Sequence, residues 1–270
     1  MDSDHNDLVA LEMVPFGGGI PNIGNTCFAN AVLMCLFHDE EMTRALLVGP
    51  MLGEIEKVGD SVKLLRSYVK LLNVTWNNES VELLRVGVTS LMSKVYKDTS
   101  LSRRFEPKRQ EDADDFLSYI LEKLHDELEL FAQHHVATSG VSASLRRLVA
   151  RYSLVTRQTY TCQWFNHERV INDTGVLKLS LQNTRKSIEE CIEENFRASF
   201  LQCLCVNEHS DANQLCKSAY RCNQCNAYVD ATLTPSIVSP LPDILVINLM
   251  RFRFIDQYNV SRCVYFLIEF

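Results

Sequence analysis

Cys27 stands where a turn-forming loop meets the start of a predicted helix, and that is where a protein can make a thiol nucleophilic. Gly24 and Asn25 are turn formers, and Thr26 can cap a helix. Apolar residues at Phe28, Val32, Leu33 and Leu36 predict a buried helix over 26–38. In the first turn of that helix the dipole and the unpaired N–H groups stabilise a thiolate, the reactive form. The same N–H groups help to hold the oxyanion that forms when a carbonyl is attacked. A side-chain amide on the preceding loop would add a donor, and Asn22 and Asn25 are both placed for it. On spacing alone, a structural cysteine packed in a loop-to-helix corner fits equally well. A second chemical feature is the pair Cys222-Asn223-Gln224-Cys225. Such a pair can bring two thiolates to one tetrahedral metal ion, and closing the site takes two further ligands. A redox role would call for a helix-start context that the flanking residues lack.

The elements that must position these groups change character along the chain. Residues 1–18 form a lead-in that runs into Gly17-Gly18-Gly19. Helices are predicted over 64–72, 81–95 and 110–131. The last shows Phe116, Leu117, Ile120, Leu121, Leu124 and Leu128 at helical spacing and acidic residues in its first turns. Residues 134–147 read as a junction loop. Beyond it, 152–161 and 176–181 are predicted strands, 188–196 a short helix and 244–254 a strand. Helices first and strands afterwards describe an α+β chain with segregated subdomains.

The chain has 270 residues, of which 46% are hydrophobic and 23% charged, ordinary values for a soluble globular protein. With 34 acidic and 27 basic residues the net charge is −7, which argues against nucleic acid or an anionic membrane as partner. The polar, acidic start lacks the basic and apolar stretches of a secretory signal, so an intracellular location (cytoplasmic, nuclear or both) is expected. Ten cysteines without a secretory signal point to reduced thiols used for metal binding or catalysis.

Three ordered blocks carry a family resemblance over residues 19–254. Asn22-Ile23-Gly24-Asn25-Thr26-Cys27-Phe28-Ala29-Asn30 resembles the cysteine box of the ubiquitin-specific proteases. Gln110-Glu111-Asp112-Ala113-Asp114-Asp115-Phe116-Leu117 resembles their Gln-Gln-Asp-Ala-x-Glu-Phe-Leu block, with Asp115 where Glu is usual. Leu241-Pro242-Asp243-Ile244-Leu245-Val246-Ile247-Asn248-Leu249-Met250-Arg251-Phe252 resembles their Leu-Lys-Arg-Phe strand, with Met250 in place of Lys. The resemblance implies a papain-like cysteine protease fold. Residues 19–133 would be the helical thumb, 148–254 the strand-rich fingers and the start of the palm, and 255–270 a tail that does not match. It implies Cys27 as nucleophile, Asn22 in the oxyanion hole and Gln110 as a residue lining and supporting the site. Ubiquitin and ubiquitinated proteins would be the partners. Catalysis would need no cofactor.

The same resemblance places a zinc-binding fingertip here. Cys222 and Cys225 match one of its two cysteine pairs. The other reads Cys162-Gln163-Trp164-Phe165, so Phe165 stands where a ligand is usual and His167 is close enough to replace it. Cys203, Cys205 and Cys216 are further donors. Two readings follow: a rebuilt zinc site on Cys162, Cys222, Cys225 and His167, or a degenerate fingertip without metal, the latter slightly favoured.

A cysteine hydrolase also needs a base. In the family it is the His of a later Gly-His-Tyr block, followed by Asp or Asn, and no Gly-His-Tyr occurs in these residues. His5, His38, His125, His134, His135 and His209 are expected at the surface or in loops. The palm is therefore expected to be incomplete, and the chain to be a fragment, short isoform or incomplete gene model with little activity alone. The alternative is a non-catalytic ubiquitin-binding scaffold.

Overall fold

The computed structural model describes residues 18–47, 51–99, 105–134, 147–148, 150–162, 165–173, 176–180, 186–201, 220–238, 241–250, 252–255 and 260–263. Contacts divide the chain into two compact units, Met1–Val149 and Ala150–Phe270. Among the described residues no helix is long and apolar enough to cross a membrane.

The first unit is helical: α1 (Cys27–Phe37), α2 (Glu40–Leu47), α3 (Met51–Lys57), a 3-10 turn (Gly59–Val62), α4 (Lys63–Trp76), α5 (Val81–Lys97) and α6 (Ala113–His134). α1 is apolar on most of its surface and buries Phe28, Ala29, Val32, Leu33, Leu36 and Phe37. It packs against α2 and, chiefly, against the apolar stripe of α6. An aromatic cluster fixes that contact. Phe28 meets the edge of Phe116 at 5.6 Å and stacks on Phe105 at 6.1 Å, and Phe105 meets Tyr119 at 5.2 Å. Such pairs contribute roughly 0.5–1.5 kcal/mol each beyond the area they bury. The helix predicted over 110–131 begins only at Ala113. Asp112 ends the lead-in: its carboxylate accepts from Asp114 N–H at 2.8 Å and its carbonyl from Phe116 N–H at 3.1 Å.

Glu127 is a buried acid on the apolar face of α6, with a function in the fold. Its carboxylate accepts from Leu64 N–H at 3.3 Å and Leu65 N–H at 2.6 Å, so it caps α4 from another helix where Val62 offers no side-chain cap. Burial holds its carboxyl above the ordinary carboxylate range, against the two N–H groups, Lys123 and Lys63, which pull it down. A raised folded-state value means that the folded protein binds this proton more tightly than the unfolded chain. The charged form therefore lowers stability at neutral pH, and that penalty is relieved as pH falls through the raised value. Glu127→Gln is expected to flatten the pH dependence of the melting temperature on the acid side, above the ordinary carboxylate range. Glu127→Ala, which orphans two buried N–H groups, is expected to cost about 2–3 kcal/mol in denaturant unfolding.

The second unit carries β1 (Leu154–Cys162), β2 (Asn166–Asp173), β3 (Val176–Ser180), α7 (Ile188–Asn195), β4 (Ser199–Leu201), β5 (Tyr220–Cys222), β6 (Ala227–Val229), β7 (Ala231–Ile237), β8 (Val246–Met250), β9 (Phe252–Ile255) and β10 (Val260–Cys263). A four-stranded antiparallel sheet runs β2-β1-β7-β4, with Tyr160 opposite both His167 and Leu233. β3 and β8 pair in parallel, and the hairpins β5–β6 and β9–β10 stand as separate pairs. α7 begins with a capping box between Ser187 and Glu190 and packs Cys191 against Leu154, Leu177 and Leu179. The single strand predicted over 244–254 is two strands. β8 takes β3 as its parallel partner, and β9 takes β10 as its antiparallel one.

Candidate active site and cysteine cluster

The loop ahead of Cys27 is organised around one side-chain oxygen. Gly24 N–H and Thr26 N–H donate to Asn22 Oδ1 at 3.2 and 3.0 Å, and the Thr26 hydroxyl donates to the same atom at 3.3 Å. With three donors on Oδ1, the amide orientation is fixed by its bonding, and Nδ2 has no partner among the described residues. Thr26 Oγ1 in turn accepts from Ile23 N–H at 3.2 Å. The buried Thr26 hydroxyl is therefore engaged within the loop and does not cap α1, contrary to the sequence expectation: no side-chain cap is made there. The helix still starts at Cys27, because Asn30 N–H donates to Thr26 carbonyl at 2.9 Å in the first helical bond. Asn30 Nδ2 ties the entry to the loop by donating to the carbonyls of Ile20 at 3.0 Å and Pro21 at 3.3 Å. Cys27 is an exposed free thiol, and the N–H groups of the first helical turn precede any helical acceptor.

Asn25 Nδ2 donates to the Lys108 carbonyl at 2.7 Å, which commits one of its two N–H bonds to a second loop, whereas Asn22 Nδ2 has no partner among the described residues. Gln110 is exposed on the lead-in to α6, two residues past Lys108. Neither His38 nor His125 reaches Cys27. His38 follows the far end of α1, roughly 16 Å along the axis, and its Nδ1 lies 2.7 Å from the Met34 carbonyl. His125 lies on α6 roughly 18 Å from its start. His134 is the last residue of α6, and His5, His135 and His209 fall outside the described residues.

In the strand-rich unit, Cys162 at the end of β1 and Cys222 at the end of β5 are buried, and Cys225 in the β5–β6 turn is half-buried. Their three sulfurs lie within 4.8 Å of one another and can hold a metal ion. Cys162 Sγ is 3.9 Å from Cys222 Sγ and 3.8 Å from Cys225 Sγ. Two sulfurs each about 2.3 Å from a tetrahedral zinc ion would sit about 3.8 Å apart, so the donor set fits such an ion. His167 on β2 brings Nε2 to 3.2 Å from Cys222 Sγ. The three cysteines of the metal reading are thus gathered near the end of the β1–β2 hairpin, and His167 lies against one of them. Cys225 N–H also donates to Cys222 Sγ at 3.3 Å. The Cys225 thiol is pushed up to about 12, chiefly by hydrogen bonding with Cys222, then by burial and by Cys162. A divalent cation at the cluster would reverse that preference for the protonated form. Around them Tyr160 and Tyr220 stack at 4.5 Å, with His167 6.0 Å from Tyr220. Burial, followed by the Cys222 sulfur, raises the Tyr220 hydroxyl above its ordinary value. Phe165, where the family usually has a ligand, is exposed, and its carbonyl accepts from Cys162 N–H at 2.9 Å. Cys203, Cys205 and Cys216 fall outside the described residues.

Known proteins align with both halves of this description. The sequence profile described as Ubiquitin carboxyl-terminal hydrolase matches residues 18–264. Among curated relatives, the Drosophila melanogaster ubiquitin carboxyl-terminal hydrolase Usp2 is 28% identical over 170 residues, 62% of this chain and 16% of the relative. The probable ubiquitin carboxyl-terminal hydrolase 4 of Schizosaccharomyces pombe is 35% identical over 116 residues, 41% of this chain and 18% of the relative. The matches to these two relatives thus span less than a fifth of their length. The solved SAGA Ubp8/Sgf11/Sus1/Sgf73 DUB module bound to ubiquitin aldehyde matches with a TM-score of 0.65 at 19% identity, covering 96% of this chain and 52% of that one. At that identity the likeness establishes the papain-like α+β fold. With a profile that takes in the cysteine loop, α6 and the strands up to β10, the chain belongs to the ubiquitin carboxyl-terminal hydrolase family.

Proposed function

We propose that this chain is the nucleophile-bearing part of a deubiquitinating cysteine hydrolase, which cleaves the isopeptide or peptide bond after the C-terminal glycine of ubiquitin. The observation that carries the reading is the bonding of Asn22: three donors hold its oxygen inward while Cys27 stands exposed at the start of α1. Cys27, as the thiolate with its proton given up to solvent, bonds through Sγ to the glycine carbonyl carbon as the π electrons move to oxygen. Asn22 Nδ2 and the Cys27 N–H stabilise that oxyanion. Collapse breaks the bond to the leaving group and leaves ubiquitin on Cys27. Gln110 lines the approach. The helical unit serves as thumb and the strand-rich unit as fingers and the start of the palm. Ubiquitin as partner is supported by the solved neighbours, which carry ubiquitin aldehyde or monoubiquitin. In the fingers, Cys162, Cys222, Cys225 and His167 hold a structural zinc ion, supported by the sulfur spacing. An amide leaving group takes a proton from a general acid, and no described histidine of the helical unit is near enough to supply it.

A ubiquitin C-terminal thioester isolates the half-reaction assigned to these residues, because its leaving thiolate needs no proton. In single-turnover mixing, ubiquitin is expected to transfer to Cys27, and Asn22→Ala is expected to slow that transfer roughly 10²–10³-fold. Transfer at the same rate in the folded variant would remove Asn22 from the mechanism. Ubiquitin bound without transfer would favour the scaffold reading instead.

A further inference from the structure

The turn before Cys27 is held by a residue outside the chemistry described so far. Gly24 and Asn25 take positive φ in succession, +114° and +57°, and reverse the chain two residues ahead of the thiol. Asparagine is among the side chains that accept this left-handed region. The Asn25 amide crosses 83 positions of sequence to donate to Lys108 at 2.7 Å, and Lys108 is itself at φ +64°. Lys108 Cγ also lies 3.7 Å from where a Cβ on Gly24 would be, so the Lys108 side chain runs close beside that turn. The N–H groups that fix Asn22 Oδ1 come from Gly24 and Thr26, the residues on either side of Asn25. Gln110 follows two residues after Lys108.

We infer that Asn25 is a positioning residue: its amide clamps the cysteine loop to the loop carrying Gln110, and through Gly24 and Thr26 it sets the direction in which Asn22 presents its N–H₂ group. The inference deepens the reading of Cys27 and Asn22 given above and rests on it. Asn25 touches no reacting atom. If it acts through Asn22, the effects of changing the two residues must be coupled, whereas a residue that only stabilises the loop would act independently of Asn22.

Two substitutions separate clamp from backbone. Asn25→Gly keeps the left-handed conformation accessible and removes the donor. Asn25→Asp keeps the shape and turns an acceptor toward the Lys108 carbonyl. Both are expected to slow single-turnover transfer from the ubiquitin thioester by ~10-fold or more in the native background, and by less than about 2-fold when Asn22 is already alanine. Alkylation of Cys27 by iodoacetamide, which uses no oxyanion hole, is expected to stay within about 2-fold. Equal slowing in both backgrounds, or none in either, overturns the inference. Amide hydrogen exchange at Thr26 tests the clamp without any activity: Asn25→Gly is expected to speed it by ~10-fold or more, and unchanged protection overturns the inference. Native chain that transfers no ubiquitin counts instead against the reading of Cys27 and Asn22, and the exchange result then decides the clamp alone.

Discussion

Cys27→Ala is expected to abolish covalent capture of ubiquitin, with transfer falling at least ~10⁴-fold, while unfolding free energy changes by no more than about 0.5 kcal/mol. The two halves of that expectation come from the same position in the fold. The thiol is exposed at the first residue of α1, so removing it opens no cavity and orphans no buried group. The buried face of the helix begins at Phe28, which the aromatic contacts with Phe105 and Phe116 hold in place whatever precedes it. The loop before it is closed by Asn22, Thr26 and Asn30, none of which bonds to the Cys27 side chain. Cys35 supplies an internal comparison: it is exposed on the same helix, eight residues on, and Cys35→Ala is expected to leave capture unchanged. A variant that kept transfer at Cys27→Ala would place the nucleophile elsewhere.

The second large effect concerns the strand-rich unit. Cys222→Ser, or prolonged chelation of the native protein, is expected to release one equivalent of zinc and to lower the melting temperature of that unit by roughly 10 °C or more. The β5–β6 hairpin explains the size. Its strands are three residues each and, among the described residues, pair only with one another, and a two-stranded ribbon of that length has marginal stability in water. Its buried contacts are Cys222 and Ala231 packed with Cys162, Tyr220, Cys225 and Val229, so the sulfur cluster is a large part of its core. A metal held by these cysteines, with His167 as a proposed fourth ligand, would replace the missing hydrophobic burial. His167→Ala is expected to weaken zinc retention less than Cys222→Ser, because His167 is close only to Cys222 in the present geometry. Protein prepared with zinc that carries well under one equivalent, and a Cys222→Ser variant that melts with the native chain, would restore the degenerate-fingertip reading.

How much of this was legible in the residues depended on how local the cause was. The starts of α1 and α5 and the apolar stripe of α6 follow from spacing, because each buries a continuous apolar stripe within the helical unit. α2 escaped because its stripe is only Met42, Thr43 and Leu46, and the polar Thr43 is buried by donating its hydroxyl to the Phe37 carbonyl at 2.9 Å. β7 was hidden by Pro235, which argues against a strand. It is tolerated past the end of β4, where that side of β7 has no partner among the described residues. β4, β5 and β6 are too short to show a period. The different bonding of Asn22 and Asn25 could not be read locally, since the partner of the Asn25 amide is the Lys108 carbonyl, 83 positions away. Glu127 carried a signal that went unread: an acid three residues after Leu124 and seven after Ile120 falls on the buried stripe, and a buried acid needs donors. His167 needed the β1–β2 register, which sets it opposite Tyr160 and beside the β5 end.

The central claim, a ubiquitin-directed nucleophile at Cys27, is tested most directly by mass spectrometry after incubation with ubiquitin whose C-terminus carries a vinyl methyl ester electrophile. Native protein is expected to gain one ubiquitin, peptide mapping is expected to place it on Cys27, and Cys27→Ala is expected to gain none. A folded sample that forms no adduct, or that labels the exposed Cys35 as readily as Cys27, would contradict it.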